Sequence, residues 1–282
     1  MTQPPASIIV LNYNTRELTL KCLESFAPAL NQRSWQIIVV DNGSSDGSVE
    51  AIQARYPFVK LVRSKRNLGF AGGNNLGLRQ AEGRVVFLMN SDVLAAADTL
   101  QALAHQLEEQ PEVGIISAGL RTATGEAQAF AYGDDPTLGY LVRRGVRAIL
   151  RRGPLHRWDI DQPIETQWVS GACLAARCEV ILHVGLLDER FQLYFEDNDW
   201  CLRARQADWK IMYDPRFTVT HLGGQSQPQR QVANQLYYQS MIKFYAKHYG
   251  AFKTLVLKCL LTPYQALIKF RSRAKTDATH RP

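Results

Sequence analysis

The aspartate Asp92 stands where a metal ligand would be expected. It follows the apolar run Val85–Met89 and is preceded by Asn90 and Ser91. A carboxylate at the end of a buried strand can hold a hard cation that keeps water and phosphate oxygens as its other ligands, as Mg²⁺ usually does. His221 closes a β-branched run before two glycines, and it can supply a neutral imidazole to such an ion. The pattern predicts one divalent cation, Mg²⁺ or Mn²⁺, beside an anionic ligand.

A second group of carboxylates could act on a proton. Glu196, Asp197 and Asp199 follow the aromatic run Phe191–Phe195. We expect this acidic cluster at a helix start, where the helix dipole keeps a carboxylate ionised. An ionised carboxylate beside a hydrophobic wall can be a general base. The alternative is that these residues only stabilise the helix.

The elements that must position these groups alternate in type through the first half of the chain. Strands are predicted at Ser7–Leu11, Gln36–Val40, Val59–Val62, Arg84–Met89 and Val113–Ser117. Helices are predicted after an Asn14–Glu17 capping box, at Ala71–Ala81 and at Asp98–Glu109. Continuous apolar strands between helices predict an α/β fold with a mostly parallel, Rossmann-like sheet covered on both faces. Ligands of such sheets bind at the carboxyl ends of the strands.

Polar residues follow each of the first four strands. They could be ordinary turns, because Asn, Asp, Gly and Ser dominate turns, but four such ends in register favour a cleft. Tyr13 can stack on a base, and Asp41 can accept a hydrogen bond from a base or ribose. We therefore predict nucleotide contacts from Asn12, Tyr13, Asn14, Asp41, Asn67, Asn74 and Asn90.

Composition narrows the compartment and the partners. The net charge is +7 and the pI about 9.2, which favours anionic partners. The five cysteines are odd in number and form no C-x-x-C, so a reducing compartment fits best. We expect neither a signal peptide nor a transmembrane helix, because the first apolar run is short and no stretch of about 20 uncharged apolar residues occurs.

Two basic and apolar segments predict contact with an anionic membrane surface. Arg143–Arg157 is rich in arginine among Leu and Val, and Ala251–Phe270 is apolar with three lysines. Amphipathic helices with basic flanks lie in the membrane interface, and Pro263 argues against a spanning helix. The alternative is that both segments pack on the domain with solvated charges.

In combination, the motifs resemble family 2 glycosyltransferases of the GT-A fold, and among them the rhamnosyltransferase-like enzymes. The matching segments are Ile8–Asn14, Val39–Gly47, Arg66–Gly77, Phe87–Val93, Trp168–Cys173, Tyr194–Arg203 and His221–Ser226. The resemblance implies an inverting, metal-dependent transfer of one sugar from a nucleoside diphosphate. The donor would carry dTDP or UDP, with dTDP-rhamnose as the first choice, and the acceptor would be a glycan or a polyprenyl-diphosphate-linked sugar in cell-surface polysaccharide synthesis.

The resemblance also implies residue roles. Asp197 falls at the base that deprotonates the acceptor, with Glu196 beside it. Asp92 falls at the metal aspartate of D-x-D, although Asn90 replaces the first aspartate. Sugar or acceptor contacts are expected from Trp168, Ser170, Gly171, Asp199 and Arg203. The Q-x-x-R-W element of processive members is absent after Gln206, which favours a single addition.

These expectations define an organisation and leave rivals. Residues 1–230 would form the catalytic domain, with a nucleotide half at 1–117 and an acceptor half at 118–230. Residues 231–270 would form an amphipathic helical segment, and 271–282 a disordered tail. The enzyme would be cytoplasmic and peripheral on the inner membrane face, without nucleic acid as a partner. The rivals are a nucleotidyltransferase, which lacks its glycine-rich loop here, and a non-enzymatic basic module.

Overall fold

The computed structural model describes residues 3–223 and 230–262. Its strands are β1 (Ala6–Asn12), β2 (Gln36–Asp41), β3 (Lys60–Arg63), β4 (Val85–Asn90), β5 (Val93–Leu94), β6 (Val113–Arg121), β7 (Tyr132–Gly133), β8 (Ile164–Glu165), β9 (Trp168–Val169), β10 (Cys173–Arg177) and β11 (Lys210–His221). Its helices are α1 (Arg16–Gln32), α2 (Ser48–Arg55), α3 (Gly69–Leu78), α4 (Ala97–Glu109), α5 (Leu138–Ile149), α6 (Cys178–Val184), α7 (Glu196–Gln206), α8 (Arg230–His248) and α9 (residues 250–262).

A nine-stranded sheet forms the centre of the fold. Its order is β3-β2-β1-β4-β10-β6-β11-β5, and β8 pairs with β11. Strands β1 to β4, β6 and β11 share one direction, while β5, β8 and β10 run against it. The predicted α/β class with a mostly parallel sheet is confirmed. Because β10 lies between β4 and β6, the second half of the chain completes the sheet begun by the first.

Helix α1 shows how the sequence pattern becomes packing. Leu20, Leu23, Phe26 and Leu30 recur on one face and are buried against the sheet. The predicted capping box with Asn14 is wrong, because Thr15 is the N-cap residue and no side chain caps the helix. The Asn14 Oδ1 instead accepts a hydrogen bond from the Ser45 amide at 2.8 Å, so this residue ties the first loop to the second.

The C-terminal helices pack on a separate apolar cluster. Phe244 and Tyr245 of α8 and Leu257 of α9 are buried together with Phe191 and Phe195, which precede α7. A helical appendage was expected here, and it therefore packs directly against the acidic segment. Residues 263–282, with Pro263 and the predicted tail, lie outside the described residues, as does residue 226 of the His221–Ser226 element.

Candidate active site

Asp92 and His221 meet because of one short antiparallel ladder. His221 at the end of β11 pairs with Val93 of β5, so residues 129 positions apart become neighbours. The Nε2 of His221 lies 3.1 Å from Oδ1 of Asp92, and both side chains are buried. The backbone supports this contact, since the Leu222 amide donates to the Asp92 carbonyl at 2.9 Å. Asp92 and His221, the two residues predicted to bind the metal ion, are therefore neighbours.

The environment of His221 suits a divalent cation. Its Nδ1 lies 2.8 Å from Oε1 of Gln128. In the tautomer whose Nδ1–H donates to that oxygen, the lone pair of Nε2 faces the Asp92 carboxylate, and the two atoms could then share a cation. Among residues 3–223 and 230–262, no group of three or more His, Cys, Asp and Glu side chains could hold a metal. Two protein ligands leave the other positions to water and phosphate oxygens, which is the usual arrangement for Mg²⁺.

The acidic pair begins α7 after a strained turn. Tyr194 and Phe195 have φ values of 66° and 70°, which lie in the left-handed region that residues other than glycine rarely adopt. Such residues cost about 1–3 kcal/mol each, and they occur preferentially at functional sites. The helix then begins at Glu196, and its next residue is Asp197.

The two carboxylates have different surroundings. Asp197 is partly accessible to solvent; its Oδ2 accepts a hydrogen bond from the Gly171 amide at 3.1 Å and its Oδ1 from the Asn198 amide at 2.8 Å. Glu196 is only 4% exposed, and its Oε2 has no hydrogen-bond partner among the residues that the structure describes. Asp197 is therefore the carboxylate that protein donors hold in the ionised form.

Burial acts on both carboxyl groups, and their hydrogen bonds separate them. Burial raises the pKa of Glu196 well above its ordinary value, and the charge of Asp197 raises it further. Burial also raises the pKa of Asp197, and the hydrogen bonds from the Gly171 and Asn198 amides offset only part of that rise. Two neighbouring carboxylates, one of them buried, cannot both ionise easily. The arrangement favours a proton on Glu196 and the negative charge on Asp197.

A short backbone path connects the acidic pair to Asp92. The Asn90 amide, at the end of β4, donates to the Ala172 carbonyl at 2.9 Å. The adjacent residue Gly171 donates to Asp197. The segment 171–172 thus has the Asn90-Ser91-Asp92 turn on one side and the start of α7 on the other. The structure brings the predicted metal residues and the predicted base to one region of the sheet edge.

The space around Gly171 leaves little room for a side chain. A Cβ atom at this position would lie 3.2 Å from Cζ of Phe70, in α3, and 3.8 Å from Cβ of Asp197. Trp168 and Ser170 lie on the same segment. Trp168 donates from Nε1 to the Asp134 carbonyl at 2.9 Å, and the Ser170 amide donates to the Ala131 carbonyl at 2.9 Å.

The predicted nucleotide residues form a connected group of loops. The side chain of Asn12 donates to Oδ1 of Asp41 at 2.9 Å, and the Ser44 amide donates to Oδ2 of Asp41 at 3.2 Å. Tyr13 is 44% exposed above this group, and Asn14 is also exposed. Asn67 is exposed at the next loop, where its Oδ1 accepts from the Gly69 amide at 2.8 Å. Asn90, at the end of β4, is half-buried.

Two of the predicted nucleotide residues, Asn12 and Asn74, are buried. Asn12 is fully buried, and its Oδ1 accepts hydrogen bonds from the hydroxyls of Thr15 and Thr19. Asn74 is 1% exposed within α3 and donates to the Phe70 carbonyl. Both side chains lie inside the loops, and their contact with a nucleotide stays a prediction.

The expected sugar contacts of Asp199 and Arg203 are also corrected. Asp199 is fully buried and pairs with Arg203 at 2.8 Å, with Lys247 at 2.5 Å and with His248 at 2.7 Å. Arg203 also donates to the carbonyls of Val184 and Leu186. This ion cluster fastens α7 to α8 and leaves neither side chain facing the site.

Sequence reasoning missed some supporting residues. Gln128 gives no signal in the sequence, because it contacts His221 only through the folded sheet. Lys247 and His248 lie about fifty residues from Asp199 and could not be linked to it. Asn42 could have been found, since it follows Asp41; its side chain contacts Asn67, Leu68 and Gly69 and so shapes the loop before α3.

Comparison with known proteins gives this geometry a context. Solved structures with a similar fold include a mannosyltransferase, PcManGT, from Pyrobaculum calidifontis in complex with GDP-Man and Mn²⁺, with a TM-score of 0.62 and 19% identity over 100% of this chain and 77% of that one. GalNAc-T7 with UDP, GalNAc and Mn²⁺ has a TM-score of 0.58 and 16% identity, over 87% of this chain and 50% of that one. The fold is that of the GT-A glycosyltransferases.

Sequence comparison shows what the chain is similar to. Residues 7–136 match the profile described as Glycosyl transferase family 2. Over 224 residues the chain is 29% identical to N-acetylglucosaminyl-diphospho-decaprenol L-rhamnosyltransferase of Mycobacterium tuberculosis, with 71% of each protein covered. It is 26% identical over 210 residues to the low-salt glycan biosynthesis hexosyltransferase Agl10 of Haloferax volcanii, over 73% of this chain and 63% of that protein. The chain is a glycosyltransferase in which residues 7–136 match family 2, and it is similar in sequence to an L-rhamnosyltransferase.

Proposed function

We propose that this enzyme moves one sugar from a nucleoside diphosphate to an acceptor hydroxyl with inversion at the anomeric carbon, and that it depends on a divalent metal ion. The observation that carries the proposal is the convergence of Asp92 and His221, 3.1 Å apart, near the segment that binds Asp197. When bound, Mg²⁺ or Mn²⁺ supplies positive charge to the departing diphosphate. Asp92 and His221 would hold that ion.

Asp197 is the proposed general base. Its carboxylate is held by two backbone amides and is partly accessible, so an acceptor hydroxyl can reach it. Glu196 is buried, and burial and the charge of Asp197 raise its pKa, so we assign the acceptor proton to Asp197 and a supporting role to Glu196. A positioned general base contributes about 10²–10⁴-fold to the rate.

The variant Asp197→Asn tests the base. It keeps the shape of the side chain and removes its basicity, so we expect transfer to fall by about 10²-fold or more. Binding of dTDP, measured by calorimetry, should stay within a few-fold of wild type, because the hydrogen bonds of the Asp197 carboxylate go to the Gly171 and Asn198 amides. Near-normal turnover would exclude Asp197 as the base.

The donor and acceptor are proposed from the relative and from the charge of the chain. The mycobacterial relative is named as an L-rhamnosyltransferase acting on N-acetylglucosaminyl-diphospho-decaprenol. We propose dTDP-rhamnose as the donor and a polyprenyl-diphosphate-linked sugar of cell-surface polysaccharide synthesis as the acceptor. A thermal-shift screen of dTDP, UDP and GDP, each with and without Mn²⁺, tests the nucleotide. Metal-dependent stabilisation by UDP or GDP alone would redirect the donor assignment.

Helix α5 supports an acceptor at a membrane surface on the cytoplasmic side. None of its residues is buried. Val142, Val146 and Ile149 repeat at helical spacing, so they form an apolar stripe on one exposed face. Arginines flank this stripe, among them Arg143 and Arg147. An exposed apolar stripe with basic flanks is the pattern of a helix that lies in the headgroup region of a bilayer.

Helix α9 repeats this pattern. Phe252 and Leu255 are exposed on its outer face, while Leu257 packs on the inner cluster shared with α8. Lys253 and Lys258 lie on either side of the outer face and can extend toward lipid headgroups. Among residues 3–223 and 230–262, the helices are all too short or too polar to cross a bilayer.

A matched pair of variants tests the membrane surface. Ile149→Glu places a negative charge in the α5 stripe, whereas Leu182→Glu makes the same change at a site on α6 that is 80% exposed. Each basic residue near anionic lipid contributes about 1 kcal/mol, so binding to vesicles with 30 mol% phosphatidylglycerol should weaken with salt. We expect Ile149→Glu to reduce co-sedimentation about tenfold and Leu182→Glu to leave it unchanged. Equal effects of the two variants would refute this surface.

A further inference from the structure

A row of aromatic side chains begins beside the active site. Phe130 lies two residues after Gln128, whose side chain contacts His221, and directly before Ala131, whose carbonyl accepts from the Ser170 amide. Phe130 therefore lies between Gln128, whose side chain supports His221, and Ala131, whose carbonyl supports the Gly171 segment.

Phe130 is held in an unfavourable position for an apolar residue. It is 58% exposed, and its φ of 63° lies in the left-handed region. Its ring centroid is 5.0 Å from that of Trp158, which is fixed by a hydrogen bond from Nε1 to the Tyr132 carbonyl. Exposure and backbone strain both cost free energy, so a functional gain is the expected compensation.

The row continues away from the site toward α5. The ring of Trp158 is 6.3 Å from that of His156, which is 5.8 Å from that of Tyr140. Tyr140 lies in the first turn of α5, the helix proposed above to contact the membrane. We call Phe130, Trp158, His156 and Tyr140 the aromatic strip. It connects the edge of the catalytic site with the start of that helix.

The strip lies on the opposite side of Asp92 from the nucleotide loops. Those loops follow β1, β2 and β3, on one side of β4 in the sheet order. The segment with Phe130 follows β6, which lies beyond β10 on the other side of β4. A donor nucleotide on the first side therefore leaves the strip open to a second substrate.

We propose that the aromatic strip is the acceptor subsite, and that it binds the saccharide of a lipid-linked acceptor with Phe130 and Trp158 as the stacking surface. A pyranose ring presents a face of C–H groups, which pack favourably on the electron-rich face of an aromatic ring. Because the strip ends at α5, an acceptor whose lipid remains in the bilayer can place its sugar near Asp197. The inference rests on the proposed function, since it requires a saccharide acceptor.

The test compares Phe130→Ala with Phe58→Ala. Phe58 is also an exposed phenylalanine beside another ring, Tyr56, but it precedes β3 at the far edge of the sheet. The probes are dTDP-rhamnose and N-acetylglucosaminyl-diphospho-farnesol. We expect Phe130→Ala to raise the acceptor KM about tenfold, with the donor KM and the rate of donor hydrolysis unchanged. Phe130→Trp should keep the acceptor KM within about twofold of wild type, and Phe58→Ala should change nothing.

The possible outcomes distinguish a failure of the acceptor subsite from a failure of the proposed function. An acceptor KM unchanged in Phe130→Ala, with active wild-type enzyme, would overturn the subsite alone. An equal rise in donor and acceptor KM would also overturn it, because the strip would then act on the whole site. A wild-type enzyme without transfer to this acceptor would instead overturn the proposed donor–acceptor pair and, with it, the subsite. Circular dichroism melting of each variant shows whether the fold is intact.

Discussion

Replacing Asp199 by asparagine separates a structural role from a role in sugar binding. The carboxylate is fully buried and faces three basic side chains, Arg203, Lys247 and His248. The asparagine keeps the size of the side chain but removes its charge, so those groups lose their common anion. Removing one partner of a buried ion pair costs about 3–5 kcal/mol.

The cost converts to a measurable change in melting temperature. One kcal/mol shifts the melting temperature of a domain of this size by about 2–4 °C, so we expect Asp199→Asn to melt about 6–20 °C lower. Asp98→Asn is the control, because its ion pair with Arg33 has the same 2.8 Å separation as the Asp199–Arg203 pair but is solvent-exposed. Exposed pairs contribute about 0–1 kcal/mol, which corresponds to a shift of about 4 °C or less.

The same variant has a predicted pH signature. Burial by itself would raise the pKa of Asp199, but the hydrogen bonds of His248 and Lys247 and the charge of Arg203 outweigh it and lower the pKa. The stabilisation is therefore present above the ordinary aspartate pKa of about 3.9 and is lost as the pH falls through the folded value. The difference in melting temperature between wild type and Asp199→Asn should therefore become smaller at acid pH.

Kinetics at a temperature well below both transitions completes the test. We expect the donor KM of Asp199→Asn to remain near that of wild type, because the side chain does not face the site. A normal melting temperature together with a raised donor or acceptor KM would refute the structural role and restore direct sugar contact.

Three further variants test neighbouring parts of the site. Glu196→Gln should raise the melting temperature more at pH 8 than at pH 5. Burial raises the pKa of Glu196, so the folded protein must retain a proton that the unfolded chain releases above about pH 4.3. An equal gain in melting temperature at both pH values would contradict a raised pKa. Gly171→Ala should lower kcat about tenfold and the free energy of unfolding by about 1–3 kcal/mol, because the added Cβ would press on Phe70 beside Asp197. An unchanged kcat would show that the segment tolerates the added methyl group. Gln128→Ala should weaken Mn²⁺ binding about 10–100-fold, because His221 loses the partner that orients its ring; unchanged affinity by calorimetry would contradict this orientation.

The strand ends were predictable because they depend on local pattern. The apolar runs that end at Asn12, Asp41 and Asn90 are continuous, and parallel strands carry their ligands at that edge. The antiparallel insertion of β10 was not visible, because strand order depends on pairing between distant segments.

The roles of individual polar residues were less predictable than their positions. Asn12 and Asp199 have the residue types of a binding site, yet each satisfies buried partners inside the protein. Residue type alone cannot distinguish these roles, because both require hydrogen-bonding groups near a strand or helix end. The same limit applies to Glu196 and Asp197, whose different burial and amide contacts appear only in the folded chain.

Mn²⁺ binding in the presence of dTDP tests the proposed site most directly. Loss of the free Mn²⁺ electron paramagnetic resonance signal reports binding to wild type, Asp92→Asn, His221→Ala and Asp197→Asn. We expect wild type and Asp197→Asn to bind Mn²⁺ with similar affinity, His221→Ala to bind more weakly, and Asp92→Asn to lose binding almost completely. Binding by Asp92→Asn equal to that of wild type would contradict a metal site built on Asp92 and His221.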